Sequence, residues 1–148
     1  MRYIESPEIF TNTEERAIFL AGGITNCPDW QSEIKTFLKK SNIVLLNPRR
    51  KNFTIDDKKA SEKQIKWEFD HLRTANAILF WFPKETICPI VLYELGAWCM
   101  TEKTIFVGVH PNYKRKKDIE EQVSLARPDI EIVYSLEKLV KQILTYIG

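Results

Sequence analysis

The sequence predicts one α/β domain in which a doubly wound parallel sheet of five strands carries helices on both faces. Short apolar runs alternate with amphipathic segments, and short loops join them, a pattern typical of strand–helix–strand units. The length of 148 residues fits one domain, and a hydrophobic share of 44% is sufficient for a core. Because no repeat or low-complexity linker divides the chain, we expect a single domain over residues 1–148.

The five predicted strands are mainly continuous apolar runs, as expected for strands buried on both faces. They cover residues 17–21, 42–46, 76–82, 104–109 and 130–133. Ahead of them, residues 1–15 form a polar N-terminal extension, which we expect to pack as a loose ribbon. Four of its side chains could anchor it at the edge of the sheet: Tyr3, Ile4, Ile9 and Phe10.

Five helices are predicted between and after these strands, at residues 30–40, 60–74, 90–100, 117–125 and from residue 136 onward. The first should bury Trp30, Ile34, Phe37 and Leu38. The second should turn Ile65, Phe69 and Leu72 toward the sheet. Ser135 is placed to N-cap the last helix, whose apolar face is Leu136, Leu139, Val140, Ile143 and Leu144. Residues 53–59 are predicted to form a loop that could act as a lid. The alternation of predicted strands and helices along the chain favours a flavodoxin-like strand order.

Composition excludes several classes of function. The net charge is only +2 and acids and bases are interspersed, so neither a nucleic-acid-binding arm nor a membrane-binding patch is expected. Cys27, Cys88 and Cys99 are odd in number, and His71 and His110 are far apart, so we predict no metal site and no disulfide framework. No apolar run has membrane-spanning length. We expect a soluble, cytoplasmic protein.

The stretch from Asn76 to Met100 is the most informative part of the chain. It reads NAILFWF, PKET and ICPIVLYELGAWCM: a buried strand, a short loop, and a helix that Pro89 opens. This helix carries one carboxylate, Glu94. Burying an unpaired carboxylate costs several kcal/mol, so Glu94 must be neutral, paired or used in chemistry. Spacing alone leaves open whether it caps a loop, pairs with a lysine or acts as a catalytic acid.

Three segments together resemble the nucleoside 2-deoxyribosyltransferase-like family: FWFPKETICPIVLYELGAW at residues 80–98, AIFLAGGI at 17–24 and WEFDHLRTAN at 67–76. The resemblance extends from about Ala17 to the C-terminus. It implies that Glu94 is the nucleophile that attacks the anomeric carbon of the sugar. It also implies a second acid eight residues before the polar residue that opens the third predicted strand. That position is Glu68, with Asp70 as the alternative.

The candidate substrate-binding residues are Gly22, Gly23, Arg49, Trp81 and Cys88. The glycines follow the first predicted strand and would let backbone N–H groups approach a ligand, or would simply form a tight turn. Arg49 follows the second, where open α/β sheets bind ligands, although it could equally lie in an exposed basic loop. Trp81 is one of several aromatic residues, with Trp30, Trp67 and Phe82, that offer a surface for a nucleobase or belong to the core.

The sequence departs from the family pattern at Cys88, where the better-known transferases carry an Asp that binds a sugar hydroxyl. Pro89 and Ile90 replace a small, glycine-containing lead-in, and the Ser-Gly lead-in of related nucleoside-monophosphate hydrolases is missing too. We therefore expect a different mode of sugar recognition, through Arg49, Glu85 or the loop at Gly22.

Three functions remain open at this stage. They are a deoxyribosyltransferase that exchanges bases, a nucleoside or nucleotide hydrolase, and a non-catalytic nucleotide-binding module. The expected partner is a small nucleoside or nucleotide rather than a nucleic-acid polymer or a membrane. No cofactor is expected for glycosidic cleavage by carboxylates. The resemblance also implies a homo-oligomer, with the helix that bears Trp98 at the subunit interface.

Overall fold

The computed structural model describes residues 1–11, 14–50 and 57–148. Within these ranges the chain forms a parallel sheet of six strands in the order β1-β3-β2-β4-β5-β6. The strands are β1 (Arg2–Glu5), β2 (Ala17–Gly22), β3 (Val44–Asn47), β4 (Ala77–Phe82), β5 (Thr104–Val109) and β6 (Ile132–Val133). The helices are α1 (Trp30–Phe37), α2 (Lys58–Thr74), α3 (Pro89–Cys99), α4 (Lys116–Ala126) and α5 (Leu136–Ile147).

The predicted α/β fold is confirmed, and the five predicted strands follow one another in the flavodoxin-like order. The sheet has one strand more than predicted, because the N-terminal extension contributes β1. This strand pairs in parallel with β3, with Tyr3 opposite Leu45 and Ile4 opposite Leu46. Four residues with one fully buried apolar side chain, Ile4, are too short a pattern to predict a strand from sequence.

Two helical layers cover the two faces of the sheet, as the alternation of side chains along each strand requires. On β4, Ile78, Phe80 and Phe82 join the core beneath α2, α3 and α4. Leu79 and Trp81 point to the other face and join the core beneath α1 and α5. The face that each strand residue occupies therefore decides which helices it can meet.

The N-terminal extension is bound to α2 by hydrogen bonds and is not the loose ribbon that we predicted. The indole N–H of Trp67 donates to the carbonyl of Glu8 at 2.7 Å. The backbone N–H of Phe10 donates to Nε2 of His71 at 3.0 Å, and Phe10 is buried. His71 accepts at Nε2, so its Nδ1 carries the proton and donates to the carbonyl of Trp67 at 2.7 Å.

Helix α2 differs most from its prediction. It begins at Lys58, two residues early, where Asp57 accepts from the backbone N–H groups of Lys59 and Ala60. Ile65 and Phe69 were predicted to face the sheet, but they are 63% and 52% exposed. The buried face instead carries Gln64, Trp67, His71 and Leu72. Residues 53–56 of the predicted loop and lid lie outside the described residues.

The other helices follow their predictions with small changes. Helix α1 ends at Phe37, three residues early, and the Phe37 side chain is exposed. Ser135 caps α5 as predicted, with its hydroxyl accepting from the backbone N–H of Lys138 at 3.3 Å. Leu144, assigned to the apolar face of α5, is exposed. No helix in the described ranges is long and apolar enough to cross a membrane.

Gly22 and Gly96 give opposite predictions for stability. A Cβ on Gly22 would lie 2.4 Å from the Trp30 ring and 2.6 Å from the Trp81 carbonyl oxygen, whereas one on Gly96 would meet nothing within 4 Å. We expect Gly22→Ala to lower the free energy of unfolding by about 1–3 kcal/mol through overpacking. Gly96→Ala, in a helix, should raise it by about 0.5–1 kcal/mol. Urea denaturation of both variants measures this, and equal effects would contradict it.

Candidate active site

A cavity of about 850 Å³ lies between α2 and α3. Phe19 and Ala21 of β2 belong to its lining, and so do residues at the ends of three strands: Gly22 and Gly23 at the end of β2, Pro48 after β3 and Thr86 after β4. In the sheet order, β2 has β3 on one side and β4 on the other. The cavity thus opens at the carboxyl ends of the strands where the winding direction reverses, the usual ligand site of such sheets.

Glu94 lines this cavity from the second turn of α3. Leu95 and Cys99 pack the helix against the core, and Val91 packs there while it also lines the cavity, so that Glu94 lies on the side toward α2. Burial raises the pKa of the Glu94 carboxyl to about 8, and the nearby charge of Glu68 adds to this increase. Among the described residues, no hydrogen bond or ion pair involves the Glu94 carboxylate. The alternative of a loop cap or a lysine pair thus has no support there.

Glu68 lines the same cavity from α2 and is the neighbouring carboxylate whose charge reaches Glu94. Its Oε1 accepts a hydrogen bond from Nε2 of Gln64 at 2.9 Å. Burial raises the pKa of Glu68, and the Gln64 hydrogen bond partly offsets that increase. Two carboxyl groups with raised pKa values favour a state in which one holds a proton and the other is charged. This is the combination that acid–base chemistry at a sugar requires.

Asp70 does not reach the cavity. Two residues on a helix are separated by about 200° of rotation, so Glu68 and Asp70 project to nearly opposite sides. Asp70 is exposed and forms an ion pair with Lys66 at 2.6 Å. The structure therefore brings Glu68, and not Asp70, together with Glu94.

Gly22 and Gly23 both line the cavity, and packing explains why neither position has room for a side chain. A Cβ on Gly23 would lie 3.0 Å from the Sγ of Cys27 and 3.1 Å from the Sγ of Cys88. The carbonyl of Gly23 accepts from the indole N–H of Trp30 at 2.9 Å, which fixes the loop. The glycines thus allow close packing of this loop as well as close approach to a ligand.

Cys88 lines the cavity at the N-terminus of α3, where it adopts a left-handed backbone with φ of 54°. Its thiol lies 3.6 Å from the carbonyl of Thr86, to which it donates. Burial raises the pKa of the Cys88 thiol to about 12, so the group is neutral at physiological pH. It can contact a sugar through a weak S–H donor but cannot replace the charge of a carboxylate.

Arg49 and Trp81 lie outside the cavity lining. The Arg49 guanidinium is held by Gln31 Oε1 and by the carbonyl of Pro28, both at 3.1 Å, and it lies 3.4 Å from Asp29. Trp81 is buried on the face of the sheet that α1 and α5 cover. The other three candidate stacking residues, Trp30, Trp67 and Phe82, are also buried in the core.

The aromatic residues that do line the cavity were not among the predicted site residues. They include Phe69 of α2 and Tyr93 and Trp98 of α3. The guanidinium of Arg73 lies 3.4 Å from the centre of the Phe69 ring. A sequence signal existed: Ile65, Phe69 and Leu72 recur at helical spacing around Glu68 and so share its face. The sequence predicts that all three pack against the sheet; Leu72 does so and also lines the cavity, whereas Ile65 and Phe69 line the cavity and are exposed.

The cysteines and acidic side chains suggest no metal centre. Cys27, Cys88 and Cys99 are free thiols. Across residues 1–11, 14–50 and 57–148, no three His, Cys, Asp or Glu side chains are grouped so that they could hold a metal ion.

Comparison with protein families gives an independent finding. The model of a family described as nucleoside 2-deoxyribosyltransferase like matches residues 15–113, about two thirds of the chain. The matched part contains Gly22, Gly23, Glu68, Cys88 and Glu94, and it leaves out β1, α4, β6 and α5. A search of curated proteins gave no match.

The raised pKa of Glu94 predicts how stability depends on pH. Between about pH 4.5 and pH 8 the folded chain retains a proton on Glu94 that the unfolded chain has lost. The free energy of unfolding of the wild type should therefore fall across this window relative to Glu94→Gln, and level off above pH 8. Urea denaturation of both proteins at pH 5, 6.5 and 8 measures the difference.

Glu62→Gln is the matched control, because Glu62 is an exposed carboxylate on α2 outside the cavity. The free energy of unfolding of Glu62→Gln should differ from that of the wild type by a nearly constant amount over the same pH range. A difference between Glu94→Gln and the wild type that stays constant from pH 5 to 8 would show that Glu94 titrates normally in the folded protein.

Proposed function

Because the chain belongs to the nucleoside 2-deoxyribosyltransferase-like family, we propose that it cleaves or transfers the N-glycosidic bond of a nucleoside or nucleotide, with Glu94 as the nucleophile. Membership of this family indicates an enzyme with deoxyribosyltransferase-like activity on small nucleoside substrates. The observation that best supports the finer assignment is the pair of half-buried carboxylates, Glu68 and Glu94, in one cavity at the carboxyl edge of the sheet.

In the proposed reaction, a carboxylate oxygen of Glu94 attacks the anomeric carbon while the bond to the base nitrogen breaks. The transition state carries positive charge on the sugar, as in other glycosidic cleavages. Burial disfavours the charged form of Glu94 in the protein without substrate. The same low polarity strengthens the attraction between the Glu94 carboxylate and the positive sugar once that charge develops. The desolvation of Glu94 thus favours the transition state over the resting state.

Glu68 is the proposed second acid. In the free protein the proton of the pair lies on Glu94, so it must pass to Glu68 before Glu94 can attack as a carboxylate. Glu68 then gives this proton to the departing base, whose nitrogen takes the electron pair of the broken bond. In its charged form it then accepts a proton from the incoming water or acceptor base. The Gln64 N–H holds Oε1 of Glu68, and no side chain among the described residues forms a hydrogen bond with the other carboxyl oxygen, which remains for this exchange. Asp70, at the surface with Lys66, is a weaker choice for this role.

For substrate recognition, we propose that the nucleobase stacks on the exposed aromatic side chains of the cavity. Phe69, Tyr93 and Trp98 offer flat surfaces in the lining of this cavity. Gly22, Gly23 and Cys88 remain the proposed sugar contacts. Trp81 would have to cross the sheet to meet the same ligand, and Arg49 would have to leave Asp29 and Gln31.

A nucleoside hydrolase and a non-catalytic nucleotide-binding module are the alternatives to the transferase. The hydrolase would use the same two carboxylates, with water as the acceptor in place of a base. The binding module draws support from Cys88, a neutral thiol where the resemblance leads one to expect a sugar-binding carboxylate. A half-buried carboxylate, Glu94, without a hydrogen-bond or ion-pair partner in the described residues favours the two enzymes, since a binder gains little from that desolvation cost.

The proposed function predicts that Glu94→Gln lowers turnover by about 10²–10⁴-fold, because a neutral amide cannot act as the nucleophile. The assay incubates the protein with deoxynucleosides, ribonucleosides and their monophosphates, with and without an acceptor base, and follows the products by chromatography. Base exchange lost in Glu94→Gln supports the transferase, and release of free base without exchange supports the hydrolase. Saturable binding without turnover, unchanged in Glu94→Gln, would leave the binding module.

The pH dependence of kcat/KM separates two roles for Glu94. In Glu68→Gln, which removes the second acid, a nucleophilic Glu94 must still be charged, so the residual kcat/KM should rise with pH over the range in which Glu94 loses its proton. A general acid must be protonated, so a fall over the same range would reassign Glu94 as the proton donor. Glu62→Gln again serves as the control with unchanged activity.

We also propose that a second copy of the chain packs on the surface formed by α2 and α3. Exposed apolar side chains concentrate there: Ile65, Phe69, Ile90, Tyr93 and Met100. Exposed apolar surface of this kind commonly marks an interface. Because Phe69, Ile90 and Tyr93 also line the cavity, the second copy would exclude water from the carboxylate pair. Trp98 borders the same surface.

A matched pair of variants tests this interface. Met100 on the α2–α3 surface and Leu125 on α4 are equally exposed, at 80% and 82%. We expect Met100→Glu to weaken association at least about tenfold, because a charge at an apolar interface costs more than 1.4 kcal/mol, and Leu125→Glu to leave it unchanged. Light scattering over a concentration series gives the molar mass. A wild-type protein that is a monomer at all concentrations would refute the interface.

A further inference from the structure

The N-terminal extension reaches the candidate active site although it lies outside the segment that the family model matches. That match begins at residue 15, after β1 and the residues that follow it. Nevertheless Ser6, the first residue after β1, contacts a side chain that lines the cavity. Its hydroxyl donates to Oε1 of Gln64 at 2.7 Å.

Ser6 is itself held firmly. Its side chain is buried, and its backbone N–H donates to the carbonyl of Asn47 at 3.1 Å, which continues the pairing of β1 with β3. The next residues are attached to α2 through the bonds from Trp67 to Glu8 and from Phe10 to His71. The Ser6 hydroxyl is therefore a fixed donor rather than a mobile surface group.

Gln64 connects Ser6 to the carboxylate pair. While its Oε1 accepts from Ser6, its Nε2 donates to the carbonyl of Pro48 at 2.7 Å and to Oε1 of Glu68 at 2.9 Å. Both amide hydrogens and the amide oxygen are thus used, and Gln64 is buried. The three partners allow only one orientation of the amide, because a flipped amide would place its oxygen against two acceptors.

We propose that Ser6 and Gln64 are positioning residues for Glu68, so that the N-terminal extension is part of the active site. Ser6 fixes the amide orientation of Gln64, and the Gln64 N–H in turn holds Oε1 of Glu68 toward α2. The free oxygen of Glu68 is thereby held at a constant place relative to Glu94. This proposal rests on the proposed function for its catalytic meaning, but the hydrogen-bonded chain can be tested without any substrate.

The loss of the Ser6 hydroxyl has a definite electrostatic consequence. Without it, Oε1 of Gln64 is buried with no donor, which favours rotation of the amide away from Glu68. Glu68 then loses the hydrogen bond that stabilises its charged form, and burial alone governs its pKa. Among the described residues, the other titratable side chains that line the cavity are Cys88 just before α3, Tyr93 and Glu94 on α3, and Arg73 on α2. None of these four forms a hydrogen bond with Ser6 or Gln64.

The test is a pH titration of the full chain by NMR with 13C-labelled glutamate side chains, where Glu68→Gln identifies the Glu68 signal. We expect the pKa of Glu68 to rise in Ser6→Ala and in Gln64→Leu, and to return to the wild-type value in Ser6→Thr, which restores a hydroxyl. Ile9→Ala is the matched control, because Ile9 lies on the same extension with an exposed side chain. It should leave the Glu68 titration unchanged.

A Glu68 titration in Ser6→Ala that equals the wild type in a folded protein would overturn the proposal. If Gln64→Leu does not fold, Ser6→Ala alone decides, since it removes one oxygen and leaves Gln64 in place. Where a substrate is turned over, Ser6→Ala should lower kcat about tenfold with little change in KM, as expected for partial loss of acid–base catalysis. Failure to turn over any nucleoside would refute the proposed function and leave the titration result intact.

Discussion

The desolvation of two neighbouring carboxylates, Glu68 and Glu94, is the constraint around which this molecule is organised. Helices α2 and α3 lie on the same face of the sheet, and apolar side chains of both helices line the space between them. Burial raises the pKa of both groups, and the charge of Glu68 raises that of Glu94 further. A pair of this kind is stable only because the sheet holds the two helices in a fixed position. Its chemistry is therefore a property of the packed core.

Among the described residues, Glu68 and Glu94 are the only carboxylates that line the cavity. Cys88, where the resemblance to the family leads one to expect a carboxylate, carries a thiol that stays protonated. A third carboxylate there would raise the pKa of Glu94 beyond its present value. The Cys88 thiol also fits closely over Gly23, whose missing side chain makes room for it. The loop after β2 and the start of α3 thus form one packed unit at the mouth of the cavity.

Much of the fold could be predicted because its signals are local. The apolar runs of the strands, the helical period around Glu94 and the Ser135 cap each depend on a few neighbouring residues. Strand β1 escaped prediction because its four residues are stabilised by pairing with β3, a contact that local pattern does not record. The same is true of Ser6, whose role appears only when the extension lies against α2.

By itself, the sequence determined the α/β class, the flavodoxin-like order of the five predicted strands, and the position of Glu94 as the single carboxylate of an apolar helix. The tertiary structure alone decided which candidates meet it. Glu68 and Asp70 are two residues apart, and the rotational phase of α2 separates them. Trp81 was expected in the site but is buried in the core, whereas Phe69 was expected against the sheet but lines the cavity. Periodicity shows that a strand or helix has two faces, but it does not show which face borders the cavity. That choice depends on the contacts between elements distant in the chain.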